Sequence, residues 1–528
     1  MIKSLLCAWA IAAFAWAPPA PAQTEGEAPP DAAGALDADA ASAVAGGEEQ
    51  LLAEELPFAE ELPLAAEEAK PVVRPKYEVL RQNEDWKVIA ADERSEADPY
   101  DFLKFIELSK DLNAWVSFGG QWRSRVEGWG GFGFNPNNDD TTWLNRFLYH
   151  ADIHVTDYLR VFVQGKSAFT TEPNLFGGGR RALDEDEFAL QNAFLDVIVP
   201  LGERGNLVLR GGRQELLLGK QRLISPLDWA NTRRTFDGGS AILKTGSWTT
   251  SAFYTHLVNV TPYSTNPSGG ASPTQFYGVY AAGKVPSMKL DLDLYLLGLS
   301  RDDSSTPTWN GTAGGEDRFT LGARNGGDIA STPLDYDLEG AWQFGTVGGN
   351  DLSAFMITAD LGVKFDEMFS DSEYLQTTKP RLFANVGYVS GDKNPGGTVQ
   401  TFNQLFPLAH AYLGFADVVG RQNIINFSTG FTCKPFGEKL VLRVDGHYFL
   451  LASTDDALYN AGGRAVRNGT TGTQDVGGEI DLTVKYPVNR HLLLVGGYSH
   501  FFAGKFVSDS GPPDSDVDFG YLSMQYTF

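Results

Sequence analysis

Cysteine is nearly missing from this chain: Cys7 and Cys433 are the only two in 528 residues. Cys7 lies inside an N-terminal apolar run that reads as a leader, so Cys433 stands alone and an intramolecular disulfide scaffold is excluded. Long apolar runs are also missing. Past the leader no stretch of 18 apolar residues occurs, which excludes membrane-spanning helices. Gly-x-Ser-x-Gly elbows, Walker loops and Cys/His metal frameworks are absent too. No enzyme activity, cofactor or nucleic-acid partner is therefore expected. Finally, residues 24–69 hold thirteen acidic side chains and not one Lys or Arg, about half of the net charge of -25.

The residues that are present divide the chain into unlike parts. Residues 1–22 have Lys3, an apolar run from Leu5 to Trp16, and Ala20-Pro21-Ala22 before Gln23. This is the pattern of a secretory signal peptide cleaved after Ala22. Residues 23–69 are rich in Ala and Pro, with a near-repeat at Ala53–Phe58 and Ala59–Leu64. Like-charge repulsion and low hydrophobicity predict a disordered spacer, or an arm for a periplasmic partner. Deleting 24–69 is expected to leave the rest folded, which heat-modifiable migration checks. Residues 70–112 read as a lead-in packed on or in the periplasmic end of the 113–528 segment.

From 113 to 528 the pattern is alternation. In the last eight residues Leu522, Met524, Tyr526 and Phe528 interleave with Ser523, Gln525 and Thr527. Strand side chains alternate faces, so each such segment has an apolar and a polar ribbon. Val116, Phe118, Trp122 and Val126 oppose Gln121, Arg123, Arg125 and Glu127, and Trp143, Phe147 and Tyr149 oppose Arg146, His150, Asp152 and His154. The same reading puts Arg160 and Lys166 opposite Val161 and Val163, and Arg443 opposite Leu442 and Val444. A basic side chain at mid-membrane depth on the lipid side costs roughly 2–4 kcal/mol, so charges collect on the other face. Some 16–18 segments predict an all-β fold: a transmembrane antiparallel barrel in outer-membrane lipid, wide enough to enclose a channel.

Short links at Thr156–Tyr158, Lys244–Ser247 and Phe436–Glu438 alternate with long polar ones such as Thr170–Glu185, Gly391–Gly420 and Thr454–Gln474. The short ones belong on the periplasmic side. Some of the long outer ones are expected to fold inward. His150, Asp152 and His154 span about 13 Å on one strand face and could suggest a metal site, but lumen polarity explains them better. Trp115, Trp122, Trp129 and Trp143 read as membrane girdle or rim.

One stretch is not cleanly strand-like. Leu209–Gly238 carries Arg210, Arg213, Lys220, Arg222, Arg233 and Arg234. Its Gly-Arg-Gln-Glu strand and Asp228-Trp-Ala-Asn-Thr-Arg-Arg-Thr-Phe-Asp-Gly238 segment resemble the alginate-export family of outer-membrane porins. Arg81–Trp86, Asp98–Lys104, Ser117–Arg123, Ser390–Gly396, Thr401–Pro407 and His410–Gly414 are similar to that family in the same order. The resemblance implies a monomeric barrel of about 18 strands whose Arg- and Lys-lined lumen passes a linear polyuronate. Arg123, Arg125, Arg146, Arg160, Lys166 and Arg443 are lumen candidates from alternation; Arg213, Arg222, Arg233 and Arg234 come from the family segment. Arg210 and Arg213 are three apart and so face opposite ways, with Arg213 taken as the lumen residue. Guanidinium forks suit carboxylates. The expected function is passive passage of an anionic polysaccharide, outward; the alternative is a porin for small acidic or aromatic solutes. Acidic side chains on the same face, Asp293, Asp337, Glu339, Glu479 and Asp481 among them, could instead pair with these cations.

Overall fold

A computed structural model describes residues 74–91, 98–171, 182–262, 266, 274–286, 290–301, 314–469 and 471–528. The predicted signal peptide and acidic segment lie outside these residues. The described chain is built on one closed antiparallel sheet. Its long strands are β1 Ala114–Gly130, β2 Asp140–Thr156, β3 Leu159–Thr170, β4 Asp186–Pro200, β5 Asn206–Gln214 and β6 Phe236–Thr245. They continue as β7 Trp248–Leu257, β8 Thr274–Val285, β9 Leu290–Arg301, β10 Glu316–Asp328, β11 Leu334–Val347 and β12 Asn350–Lys364. The last are β13 Arg381–Val389, β14 Ile424–Cys433, β15 Val441–Leu451, β16 Asp475–Pro487, β17 Leu492–Ala503 and β18 Val517–Thr527. Each pairs with the next. β18 returns to β1, from Gln121 opposite Thr527 to Gly130 opposite Asp518. Phe528 extends the seam, its N–H and carbonyl both bonded to Gly120 at 2.9 Å. Closure leaves no sheet edge unpaired, as a wall in lipid requires.

The predicted alternation is what the wall uses. Phe118, Trp122, Val126, Trp143, Phe147, Leu338, Trp342, Val444, Tyr448, Ile480 and Leu482 are exposed on the outside. Their neighbours Arg123, Arg125, Arg146, Glu339, Asp445, Glu479 and Asp481 are buried on the inside. Two tryptophans correct the girdle expectation. Trp115 and Trp129 share the odd-numbered register of Arg123 and Arg125 and so face inward. Trp115 stacks on His154 with ring centroids 3.9 Å apart, and Trp129 packs on Phe519 at 4.2 Å.

The two ends of the barrel differ. The end holding the lead-in and Phe528 has links of a few residues, except that between β12 and β13, which carries helices Phe365–Met368 and Glu373–Thr378. The opposite end has the long connections, with a two-residue exception at Gly348-Gly349. Among the described residues, several long connections fold inward. Residues 215–235 and 390–423 meet in the lumen, where Ile224 bridges Phe406, and Ser225 N–H donates to Phe406 O at 2.8 Å. Here even the inner face of the wall turns apolar: Phe236, Phe276, Phe449 and Phe501 join Leu223, Ile224, Phe402 and Phe406 in one buried cluster.

The lead-in packs against the other end. It has short turns at Arg81–Asn83 and Trp86–Ala91, a helix Asp101–Lys104, and a strand Ile106–Ser109 laid on β1 opposite Trp115 and Val116. That strand covers the part of β1 that β18 is too short to reach. Lys104 anchors it by donating to Phe118 O at 2.9 Å, its amine 4.7 Å from the Trp86 ring. Burial, reinforced by the Arg81 charge, pulls this amine down to about 7. A lysine whose folded pKa is lowered destabilises the docked state fully below that pH. The penalty then fades as pH rises toward the ordinary value near 10.4. Proteolysis of the lead-in should accordingly be slower at pH 9 than at pH 7, and Lys104→Met should abolish the difference. Equal rates for the native chain at both pH values would refute this.

Candidate functional site: the lumen

The inward loops are held mainly by the arginines that the sequence singles out. β1 and β2 point three guanidinium groups at one bend of the 215–235 loop. Arg123 donates to the carbonyls of Asp228 (2.7 Å), Trp229 (2.6 Å) and Ala230 (2.9 Å). Arg125 donates to Trp229 O at 2.9 Å, lies 3.7 Å over the indole and pairs with Glu127 at 2.7 Å. Arg146, fully buried, takes Asp228 O at 2.6 Å and the Asp228 carboxylate at 2.9 Å. A bend of the chain brings three carbonyls together, and three cations replace the water they would otherwise bind.

From the loop itself, Arg233 pairs with Glu215 at 2.6 Å and with Asp228, and donates to Val79 O in the lead-in at 2.9 Å. Arg222 reaches across the barrel to Asp337 (2.7 Å), Glu339 (3.0 Å) and Asp360 (2.6 Å) on β11 and β12. Arg234 donates to Ser225 O at 3.0 Å and lies over Phe406. On the wall, Lys166 pairs with Asp186 at 2.9 Å and Arg443 with Asp445 at 2.5 Å. Arg160 bonds Asp152 at 2.6 and 2.7 Å. These cations point inward, yet each has a protein partner. His150, Asp152 and His154 are likewise engaged, by Phe162, Arg160 and Trp115 respectively.

Arg213 differs from the expectation. It pairs in register with Ala193 and Asp237, on the face that exposed Leu209 and Leu195 present to the outside. At the loop end of β5 it is held by Asp237 at 2.8 and 2.9 Å and capped by the carbonyls of Leu190 and Asn266. An outward arginine is tolerated there because its charge and donors are satisfied before it meets lipid. The lumen residue of β5 is Arg210. It faces Asp196 with bonds of 2.8 Å from Nε and from Nη2, and its guanidinium lies 3.8 Å from the Phe194 ring.

Between lead-in and loop the lumen keeps a cavity of about 650 Å³. Gln82 and Asp85 form part of its floor, and Arg160, Asp196, Arg210 and Lys244 line one wall. Val208, Ile242 and Phe253 supply apolar surface beside them. Arg160 joins floor to wall, donating to Gln82 O at 2.6 Å and standing 3.9 Å from Asp196. The compartment is therefore polar, partly apolar on one side, and bounded by a lead-in on which the alternation pattern is silent.

A closed barrel of eighteen long strands with an apolar outer face, inward loops and a polar lumen defines an outer-membrane porin-type channel. The chain belongs to the alginate export family, whose model matches residues 114–520. No curated protein matches it. Among solved structures it is similar to three from Pseudomonas aeruginosa. The outer membrane protein OprD is 12% identical, with TM-score 0.50, covering 78% of this chain and 93% of that one. OccK2 (OpdF), in complex with glucuronate, is 12% identical, with TM-score 0.50 and coverage of 78% and 96%. OpdK, with vanillate, is 11% identical, with TM-score 0.50 and coverage of 78% and 98%. At such identity the likeness is one of fold. The channel class and the outer-membrane location agree with the expectation from sequence.

Proposed function

We propose that this chain is a passive channel for carboxylated solutes, and that it handles them as short units. The observation that carries the reading is the cavity of about 650 Å³ between the inward loop and the lead-in, with Arg160 and Arg210 on its wall. A space of that size suits a monosaccharide acid or an aromatic acid better than a threaded polymer. Glucuronate and vanillate, held by two barrels of the same fold, are solutes of this size and charge. Weak contacts with partly paired guanidinium groups allow entry without trapping, as conduction requires.

Passage of an anionic polysaccharide is the second reading. Membership of the alginate export family favours it, as does the column of Arg123, Arg125 and Arg146. Movement of the 215–235 loop would free these groups.

Planar-bilayer recordings separate the two. Reversal potential across a salt gradient should report anion selectivity, reduced by Arg210→Ala, with glucuronate producing brief blocks. Block by long polyuronate but not by glucuronate would favour the polymer. Cation selectivity and indifference to both would overturn the channel's proposed anion preference altogether.

A further inference from the structure

The lead-in contributes one side chain whose chemistry is unspent. Gln82 is 4% exposed and lines the cavity, yet neither its amide nitrogen nor its amide oxygen has a hydrogen-bond partner among the described residues. A buried amide without partners is costly, so such a group points to a ligand or water that completes it. Its surroundings narrow the choice. The Gln82 carbonyl accepts from Arg160, Arg160 stands beside Asp196, and Asp196 holds Arg210 by Nε and Nη2 only. The other Nη of Arg210 makes no bond to a described residue. Gln82, Arg160 and Arg210 thus form a contiguous row on one side of the cavity.

We propose that this row is a solute-binding subsite for a hydroxylated carboxylate of monosaccharide size, a uronate being the simplest fit. The free donors of Arg210 and the Gln82 amide N–H groups take the carboxylate. The Gln82 amide oxygen can only accept, so it requires a donor on the ligand, which a ring hydroxyl provides. Val208 and Ile242 offer an apolar surface to the C–H face of a sugar. Asp152 and Asp196 offset the two arginines, so recognition rests on donor placement more than on net charge. Binding is then weak enough for transport. The subsite rests on the proposed channel function and adds that specificity comes partly from residue 82, outside the family-matched segment 114–520.

The test is calorimetric titration of the full-length, detergent-solubilised protein with D-glucuronate, and with D-glucose as the neutral probe. Saturable glucuronate binding is expected, at least about tenfold tighter than glucose. Gln82→Leu should weaken it about tenfold. Gln82→Glu, nearly isosteric and still offering the carbonyl that Arg160 uses, should weaken it more by repelling the carboxylate. Heat-modifiable migration checks that each variant is folded. If neither folds, Arg210→Lys, which keeps the charge but loses the fork, decides by the same tenfold criterion. Unchanged affinity in folded variants would overturn the subsite. So would no saturable binding by a channel that still shows anion selectivity, and that outcome would leave the channel function standing. Loss of anion selectivity itself would refute the function instead.

Discussion

Arg222→Ala should raise single-channel conductance several-fold while leaving the barrel assembled. Arg222 links the 215–235 loop to three carboxylates on β11 and β12, and its side chain is almost wholly buried. Asp337 keeps Arg324, and Glu339 keeps the Tyr295 hydroxyl at 3.0 Å, but the ion pair to Asp360 is lost outright. Removing one partner of a buried ion pair costs about 3–5 kcal/mol, because the other charge stays desolvated. The wall strands are held by a continuous ladder and need not give. The cheapest relief is for the loop to leave and admit water to the carboxylates. Arg222→Lys, a point charge without a fork, should fall between the two. Conductance and protease resistance of the loop identical to the native chain would mean that the apolar contact of Ile224 with Phe406 is sufficient to hold it.

Arg81→Ala should release the lead-in. Arg81 donates to Gly120 O at 3.2 Å and to Phe528 O at 3.0 Å, across the seam where β1 meets β18. It also pairs with Glu84, which accepts from the Trp86 indole at 2.8 Å and from Glu78 N–H at 2.9 Å. Truncation leaves Glu84 buried with two neutral donors and no cation, again a loss of about 3–5 kcal/mol. The expected result is rapid proteolysis within 74–91 and a wider channel mouth, with heat-modifiable migration retained. Arg81→Ala combined with Glu84→Gln should recover part of the loss, since the stranded charge goes with its partner. A lead-in equally resistant in Arg81→Ala would show that it is held without Arg81 by Lys104, by the Tyr100 hydroxyl 2.7 Å from that of Tyr526, and by His491 on the β16–β17 link, 2.9 Å from the Asp98 carboxylate.

Much of this protein can be read from residues two apart. The outward set on β1, from Phe118 to Val126, and the inward set, from Gln121 to Glu127, follow from alternation alone. The same register placed Trp115 and Trp129 inward, against a girdle reading that considered only residue type. On β5 the signal was also present: Leu209 is odd-numbered and faces outward, which assigns Arg213 to the outside and Arg210 to the lumen. The motif around Arg213 outweighed that simple parity. Gln82 left no such trace, because a lead-in without periodic structure has no face to read.

Alternation along the chain already specifies the wall of this barrel, its two faces, and the inward direction of Arg123, Arg125, Arg146 and Arg443. Each strand obeys the cost of a charge in lipid independently of the others, so the rule leaves its mark locally. What those arginines hold is set only in the folded barrel. The meeting of Arg123 with the Asp228–Ala230 bend, of Arg222 with Asp360 and of Arg233 with Val79 joins residues roughly a hundred or more positions apart. Such contacts depend on where a closed barrel returns its irregular loops and lead-in, and no periodicity along the chain records that.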